Sequence, residues 1–362
     1  MTLPCRADHI GSLLRPKKLR DAFRRHAAGA LPDEEFRAAQ DEAIRDVVKL
    51  QEDCGLRVAT DGEFRRTSYW EKFVRLTQGL VVKDAVFTFH DSAGHESQFT
   101  APYVAGKVSR REPITLDEFG FLKECTSVTG KITMPAPSTM HFYRFTDWGS
   151  AYRDARAFFE DLGKVYQAEI ADLAKAGCRY VQLDEVAVAI LCDPAAREKV
   201  KANGEDPDRL VDLYIDAINE AVKNAPPQVT IGVHVCRGNY KGMYLSEGGY
   251  DSVAEKFFAR TKVNHFLLEF DTPRAGSFDP LRFVPKDKGV VLGLVSSKTP
   301  QLESLGLLKR RADEAARFVS PERLAISPQC GFASTMGGNP LTEADERAKL
   351  KLCVDAARAL WG

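Results

Sequence analysis

Apolar positions along this chain follow two alternating rhythms, one of period 3.6 and one of short, continuous apolar runs. From residue 31, LPDEEFRAAQDEAIRDVVKLQEDCG places Pro32 and three acids at a helix start, spaces its apolar residues at helical intervals and closes on Gly55. LRVATDGEF follows as a short strand that runs into a polar loop. The unit returns as WGSAYRDARAFFEDLGKVYQAEIADLAKAGC, a long amphipathic helix ending at Gly177, before the apolar strand RYVQLDE. It recurs as DRLVDLYIDAINEAVKNA before VTIGVHVC, DSVAEKFFARTK before HFLLEFD, and LESLGLLKRRADEAARFV before LAISPQCG. Helix then strand, repeated, specifies a parallel sheet.

Further strands near CRADHIG, GKITMPAP and GVVLGLVSS bring the number to about eight, which closes a TIM (β/α)8 barrel with its helices outside. An α/β fold of this kind takes residues 1–362 as one domain; a doubly wound open sheet is the alternative. Residues 80–115 break the rhythm, alternating apolar and polar positions around a Gly-containing turn, and predict a β-hairpin inserted over one barrel mouth.

With 44% hydrophobic residues in 362, the chain can fill one large core. Its 51 basic and 51 acidic residues balance, so nothing points to nucleic acid or an anionic membrane surface, and a small-molecule substrate is the default. The start MTLPCRADHIGSLLRP lacks the apolar segment of a signal peptide and no later run approaches a membrane span, so a cytoplasmic location is expected. Eight scattered cysteines then read as free thiols and metal ligands rather than disulfides.

In such a barrel the C-terminal strand ends carry the chemistry. They receive Asp8 and His9, Asp61 and Glu63, Asp184 and Glu185, His234 and Cys236, Glu269 and Asp271, and Cys330. Alternate residues of a strand share a face, so His234 and Cys236 can turn together toward one ion, with Val235 behind them. Zinc takes imidazole, thiolate and carboxylate in a tetrahedron, and these two with Cys330 and an acid such as Glu269 would supply four ligands. Plainer alternatives stand beside each assignment. The cysteines could be inert core residues, Glu269 could pair with a neighbouring arginine, Asp184 could cap the following helix, and His9 could make a satisfied polar contact. His26, His90, His95, His141 and His265 have no ligand company in sequence.

The series ADHIGSLLRP, DGEF, VQLDE, HVCRGN, LLEFD and SPQCGF, in this order and across essentially the whole chain, resembles the catalytic barrel of cobalamin-independent methionine synthase and its short single-barrel relatives. The resemblance implies zinc on His234, Cys236, Glu269 and Cys330. It also implies an amino-acid thiol held at Ile10, Gly11 and Ser12 and by the acids Glu63 and Asp184. The implied reaction is methyl transfer to the thiol of homocysteine or a similar small thiol, with Zn2+ as cofactor.

The chain departs from the family in two places. It has one barrel where full-length synthases have two, and a late HSPN-like segment reads VSSKTP, with Ser296 or Ser297 where the family carries a histidine implicated in protonating the leaving group. These departures point away from a polyglutamylated folate and toward a donor presented from outside, such as methylcobalamin, a methylated corrinoid protein or a small methylated metabolite. Two rivals differ in chemistry. A zinc-dependent epoxyalkane:coenzyme M type thiol alkyltransferase would need a sulfonate pocket, and a metal-free uroporphyrinogen decarboxylase-like barrel would bind a larger anion.

Overall fold

The computed structural model describes residues 3–91, 93–144 and 148–362. Its strands are β1 (Val58–Ala59), β2 (Thr77–His90), β3 (Glu96–Arg110), β4 (Thr129–Pro135), β5 (Tyr180–Glu185), β6 (Thr230–Val235), β7 (His265–Glu269), β8 (Gly289–Val295) and β9 (Leu324–Pro328). Seven of them form one sheet in the order β1-β4-β5-β6-β7-β8-β9, every neighbouring pair parallel. The order never reverses, so the sheet lacks the switch point of a doubly wound fold. It is an α/β architecture whose curled sheet is consistent with a TIM-like barrel.

The expected first strand is reduced to one bridge, Ala7 to Ile326. Around it Asp8 N donates to Ile326 O and Ile326 N to Arg6 O, each at 2.9 Å. On the other side Thr60 Oγ1 donates to Gly11 O at 2.7 Å and Leu13 N to Gly62 O at 3.2 Å. The segment thus spans the gap between β9 and β1. It stays short because the backbone turns at Gly11, where φ is +123° and a β-carbon would lie 2.5 Å from Thr133 Cγ2.

Helices alternate with the strands as the periodicity requires. Asp33–Asp53 precedes β1, and Ala155–Ala176 ends at Gly177 in the left-handed conformation before β5. The latter helix begins later than its apolar pattern suggests, because Asp154 caps it by accepting from Ala157 N at 2.8 Å. Lys17–Ala27, Leu116–Cys125, Pro194–Ala202 and Glu343–Trp361 lie outside the repeated unit, the last opened by a Thr342/Asp345 capping box. Among the described residues no helix is long and apolar enough to cross a membrane.

Strands covered on both faces must bury any polar residue they carry. β4 and β5 do this by pairing: Lys131 donates to Asp8 at 2.8 Å, to Gln182 at 3.0 Å and to the His9 carbonyl, and Tyr180 OH donates to Asp8 at 2.6 Å. This buried network forms the floor beneath the strand ends.

β2 and β3 form the antiparallel hairpin, bounded at Thr77 and Arg110 rather than at 80 and 115; residues 111–115 lead into Leu116–Cys125. Register shifts fall at Gln78/Leu80 and Asp84/Thr88, the first at Gly79 with φ +85°. The hairpin is tied over the strand ends by reciprocal backbone bonds of His90 with Tyr244, both 2.9 Å, and by rings: Phe87 on Phe142 at 4.9 Å and Phe99 on Tyr143 at 5.2 Å.

Candidate active site

His234 near the end of β6, Cys236 just past it and Cys330 just past β9 bring one ligand atom each within 4.8 Å of one another, all buried. His234 Nδ1 donates to Leu267 O at 3.2 Å, which fixes the tautomer and leaves Nε2 as a buried nitrogen without a hydrogen bond. The two sulfurs stand 3.2 Å apart as free thiols. Their mutual hydrogen bond, and burial after it, push the Cys236 thiol well above its usual pKa. Two thiols, one of them also accepting from Gly238 N at 3.3 Å, and a tautomer-locked imidazole are a donor set that fits a soft or borderline metal ion.

Glu269, the expected fourth ligand, is not part of that group. Its Oε1 accepts from Arg274 Nη2 at 2.6 Å and its Oε2 from Arg237 N at 3.1 Å. Burial works against its ionisation, but Arg274, Arg237 and Lys298 outweigh it and hold the carboxyl below the usual range. The structure therefore places Glu269 one backbone amide from Cys236, with one oxygen engaged by Arg274.

The cysteine group opens into a cavity of about 400 Å³ also lined by Ile10, Ser12, Glu63 and Asp184. Gly11, between Ile10 and Ser12, is not itself in the lining; a β-carbon there would meet Thr133 Cγ2 at 2.5 Å and sit in ordinary contact with Glu63 Oε1 at 3.7 Å. Glu63 is itself left-handed, φ +61°, a costly conformation for a residue with a β-carbon. It is held by Arg15 Nη2 on its carbonyl at 2.9 Å and by Thr133 Oγ1 on its Oε1 at 2.7 Å. Glu63 Oε2 is buried without a partner. Asp184 accepts from Gln182 at 2.7 Å. Burial, reinforced by the nearby Glu63 and opposed by His234, raises the Asp184 carboxyl to about 7; burial also raises Glu63, against Arg66 and Thr133. Two buried acids on one cavity, one with a bare oxygen, ask for a cationic ligand group.

The other rim residues serve the scaffold. Asp8 pairs with Lys131. His9 is buried beside the Val58 backbone and the Gln51 side chain, and burial, with the Lys131 charge, lowers its pKa to about 3, which keeps it a neutral scaffold residue. Asp61 accepts from Glu63 N at 2.9 Å. It is Glu185, not Asp184, that caps the following helix, accepting from Val188 N at 2.9 Å. Ser296 and Ser297 are buried in backbone contacts, Ser297 Oγ donating to Gly331 O at 2.9 Å, and neither lines the cavity. Sequence reading missed Tyr69, Trp70, Phe89, Phe99, Tyr143 and Tyr240, which do line it.

Comparison with known proteins places these residues in context. The pattern of the cobalamin-independent synthase, catalytic domain, matches residues 6–359. The chain is 39% identical to the uncharacterized protein YxjH of Bacillus subtilis (strain 168), over 99% of this chain and 95% of that one. It is 29% identical to a methionine synthase of Pyrococcus horikoshii, over 89% of this chain and 85% of the other. Its fold superposes with a TM-score of 0.76 on a Listeria monocytogenes protein described as a vitamin-B12 independent methionine synthase, at 30% identity and covering 100% and 99% of the two chains.

Proposed function

Because the chain belongs to the cobalamin-independent synthase catalytic-domain family, we propose that it is a zinc-dependent S-methyltransferase that moves a methyl group onto the thiol of homocysteine or a similar small thiol. The observation that carries this reading is one cavity holding both the His234/Cys236/Cys330 group and the acids Glu63 and Asp184. We assign His234, Cys236 and Cys330 as zinc ligands, with Glu269 as the fourth once Arg274 yields its oxygen. Residues 1–362 are read as one domain, its barrel completed by the segment around Ala7, acting in the cytoplasm.

Zinc in this site would supply the Lewis acidity that keeps a thiol of pKa ~8.5 deprotonated at neutral pH. The chain's residues do the rest. Glu63 and Asp184 take the α-ammonium group, Ile10, Gly11 and Ser12 border the amino-acid end, and the thiol is left directed at the cysteine pair. Coenzyme M has no ammonium and carries a sulfonate, so the acids that suit homocysteine would repel it; among the described residues no lysine or arginine lines the cavity to receive a sulfonate. The methyl donor arrives from outside the barrel, as methylcobalamin, a methylated corrinoid protein or a small methylated metabolite.

The test is elemental analysis of purified Cys236→Ser and Cys330→Ser. Wild type should hold one zinc per chain and both variants should lose it; full zinc in both would place the metal elsewhere.

A further inference from the structure

The cavity combines three features that bear on the second substrate. Its charged lining is entirely acidic apart from the imidazole of His234: Glu63 and Asp184 appear, and among the described lining residues there is no lysine or arginine. The nearby cations lie behind the lining: Arg66 binds Glu118 at 2.6 Å and reaches Glu63 Oε1 only at 3.7 Å, leaving Glu63 Oε2 without a partner, and Lys298 donates to Gly238 O at 3.0 Å. The same cavity is lined by a contiguous set of rings: Phe89 lies 4.9 Å from Phe99 and 5.3 Å from Tyr240, and Phe99 meets Tyr143 edge-on at 5.2 Å. Finally, Ser296 N donates to Glu303 Oε1 at 2.8 Å and Ser297 Oγ to Gly331 O at 2.9 Å, and neither serine is among the residues lining the cavity.

We propose that the methyl donor is a small onium compound, a methylsulfonium or a quaternary methylammonium, bound by its cationic head against Phe89, Phe99, Tyr143 and Tyr240. This rests on the thiol-methyltransferase reading and narrows its donor. A zwitterionic amino-acid thiol neutralises one acid with its ammonium but brings a carboxylate, so the filled thiol site remains negative. A cation is the donor charge this field attracts, and ring faces bind onium groups through their quadrupole without presenting a competing positive charge. A folate chain of glutamates would add negative charges with no cation to meet them. The chemistry also closes without an acid. The thiolate lone pair forms the new S–C bond, and the electrons of the broken C–S+ or C–N+ bond leave with the sulfur or nitrogen. A neutral thioether or tertiary amine departs, and no proton is required.

Binding can be read without turnover. Calorimetric titration should show trimethylsulfonium binding at least about tenfold more tightly than its neutral isostere tert-butanol. Phe89→Leu and Phe99→Leu, which keep apolar bulk, should weaken trimethylsulfonium by about tenfold and leave homocysteine affinity unchanged, and Phe99→Tyr should restore it. Thermal melts confirm that the variants are folded. In turnover, S-methylmethionine as donor should yield two methionines for each homocysteine consumed, one from the methylated thiol and one as the departing thioether. Equal affinity for the two isosteres, indifference to loss of the rings, or turnover confined to methyltetrahydrofolates or methylcobalamin would overturn the proposal. If homocysteine binds and sulfonium does not, the donor assignment alone falls; if neither binds, the thiol site falls with it.

Discussion

The Asp184 carboxylate is positioned by a chain of single hydrogen bonds. Lys131 donates to Gln182 Oε1 at 3.0 Å, which sets the amide so that its NH2 reaches Asp184 at 2.7 Å and Ile10 O at 2.6 Å. Asp184→Asn and Glu63→Gln keep size and remove charge, so each is expected to weaken homocysteine binding by about 1.5–3 kcal/mol, with zinc content unchanged. Calorimetry reads the first and elemental analysis the second; unchanged affinity in both variants would mean a thiol without an ammonium group. Glu269→Gln should lower zinc affinity, checked by competition with a chromophoric chelator. At this scale the sequence was most legible where spacing is geometry: His234 and Cys236 share a face because strands alternate, and Cys330 follows a strand end. It was least legible where a partner lies across a loop. The arginine considered for Glu269 is Arg274, five residues on, and nothing in HFLLEFDTPR tells whether it turns back.

Glu346 shows an element carrying a cost of its own. It sits in the first turn of the helix Glu343–Trp361, accepts from Leu14 N at 2.8 Å, and leaves Oε2 buried and unpaired; burial raises its carboxyl to about 8. A raised folded-state pKa means the unfolded chain releases the proton first. The contribution is fully present below about 4.5 and is lost as pH rises toward about 8, on the order of a few kcal/mol. Denaturant titrations at pH 5 and pH 8 should show Glu346→Gln flattening that decline; an equal decline in both proteins would exclude the assignment. Elements were readable wherever a helical period led into an apolar run, as at Ala155–Ala176 and β5. The helix holding Glu346 lies beyond the last such pair. The hairpin was visible as alternation, but its aromatic residues could not be assigned to the cavity, because Phe89, Phe99 and Tyr143 meet only after β2 and β3 fold over the strand ends.

For the whole molecule, the sheet is continuous through β4 to β9 and thin at one place. β1 contributes two residues and the segment around Ala7 a single bridge. Opening there breaks few bonds, so in hydrogen exchange the amides of Asp8, Leu13 and Ile326 are expected to lose protection before those of residues 181–184 and 231–235; simultaneous exchange of both sets would show the sheet opening as one unit. Hydrophobic rhythm revealed the number of helix and strand pairs but not this seam, since Gly11 cuts the strand short through backbone conformation rather than polarity. The hairpin has a different consequence. Residues 77–110 are one contiguous run, attached at its base, through the His90–Tyr244 bonds and by ring contacts to Phe142 and Tyr143, and they furnish Phe89, Gln98, Phe99 and Thr100 to the cavity. Under the donor assignment proposed above, inheritance could act on the two substrates separately: exchange of this one short gene segment would replace Phe89 and Phe99 while leaving Glu63, Asp184 and the cysteine group in place.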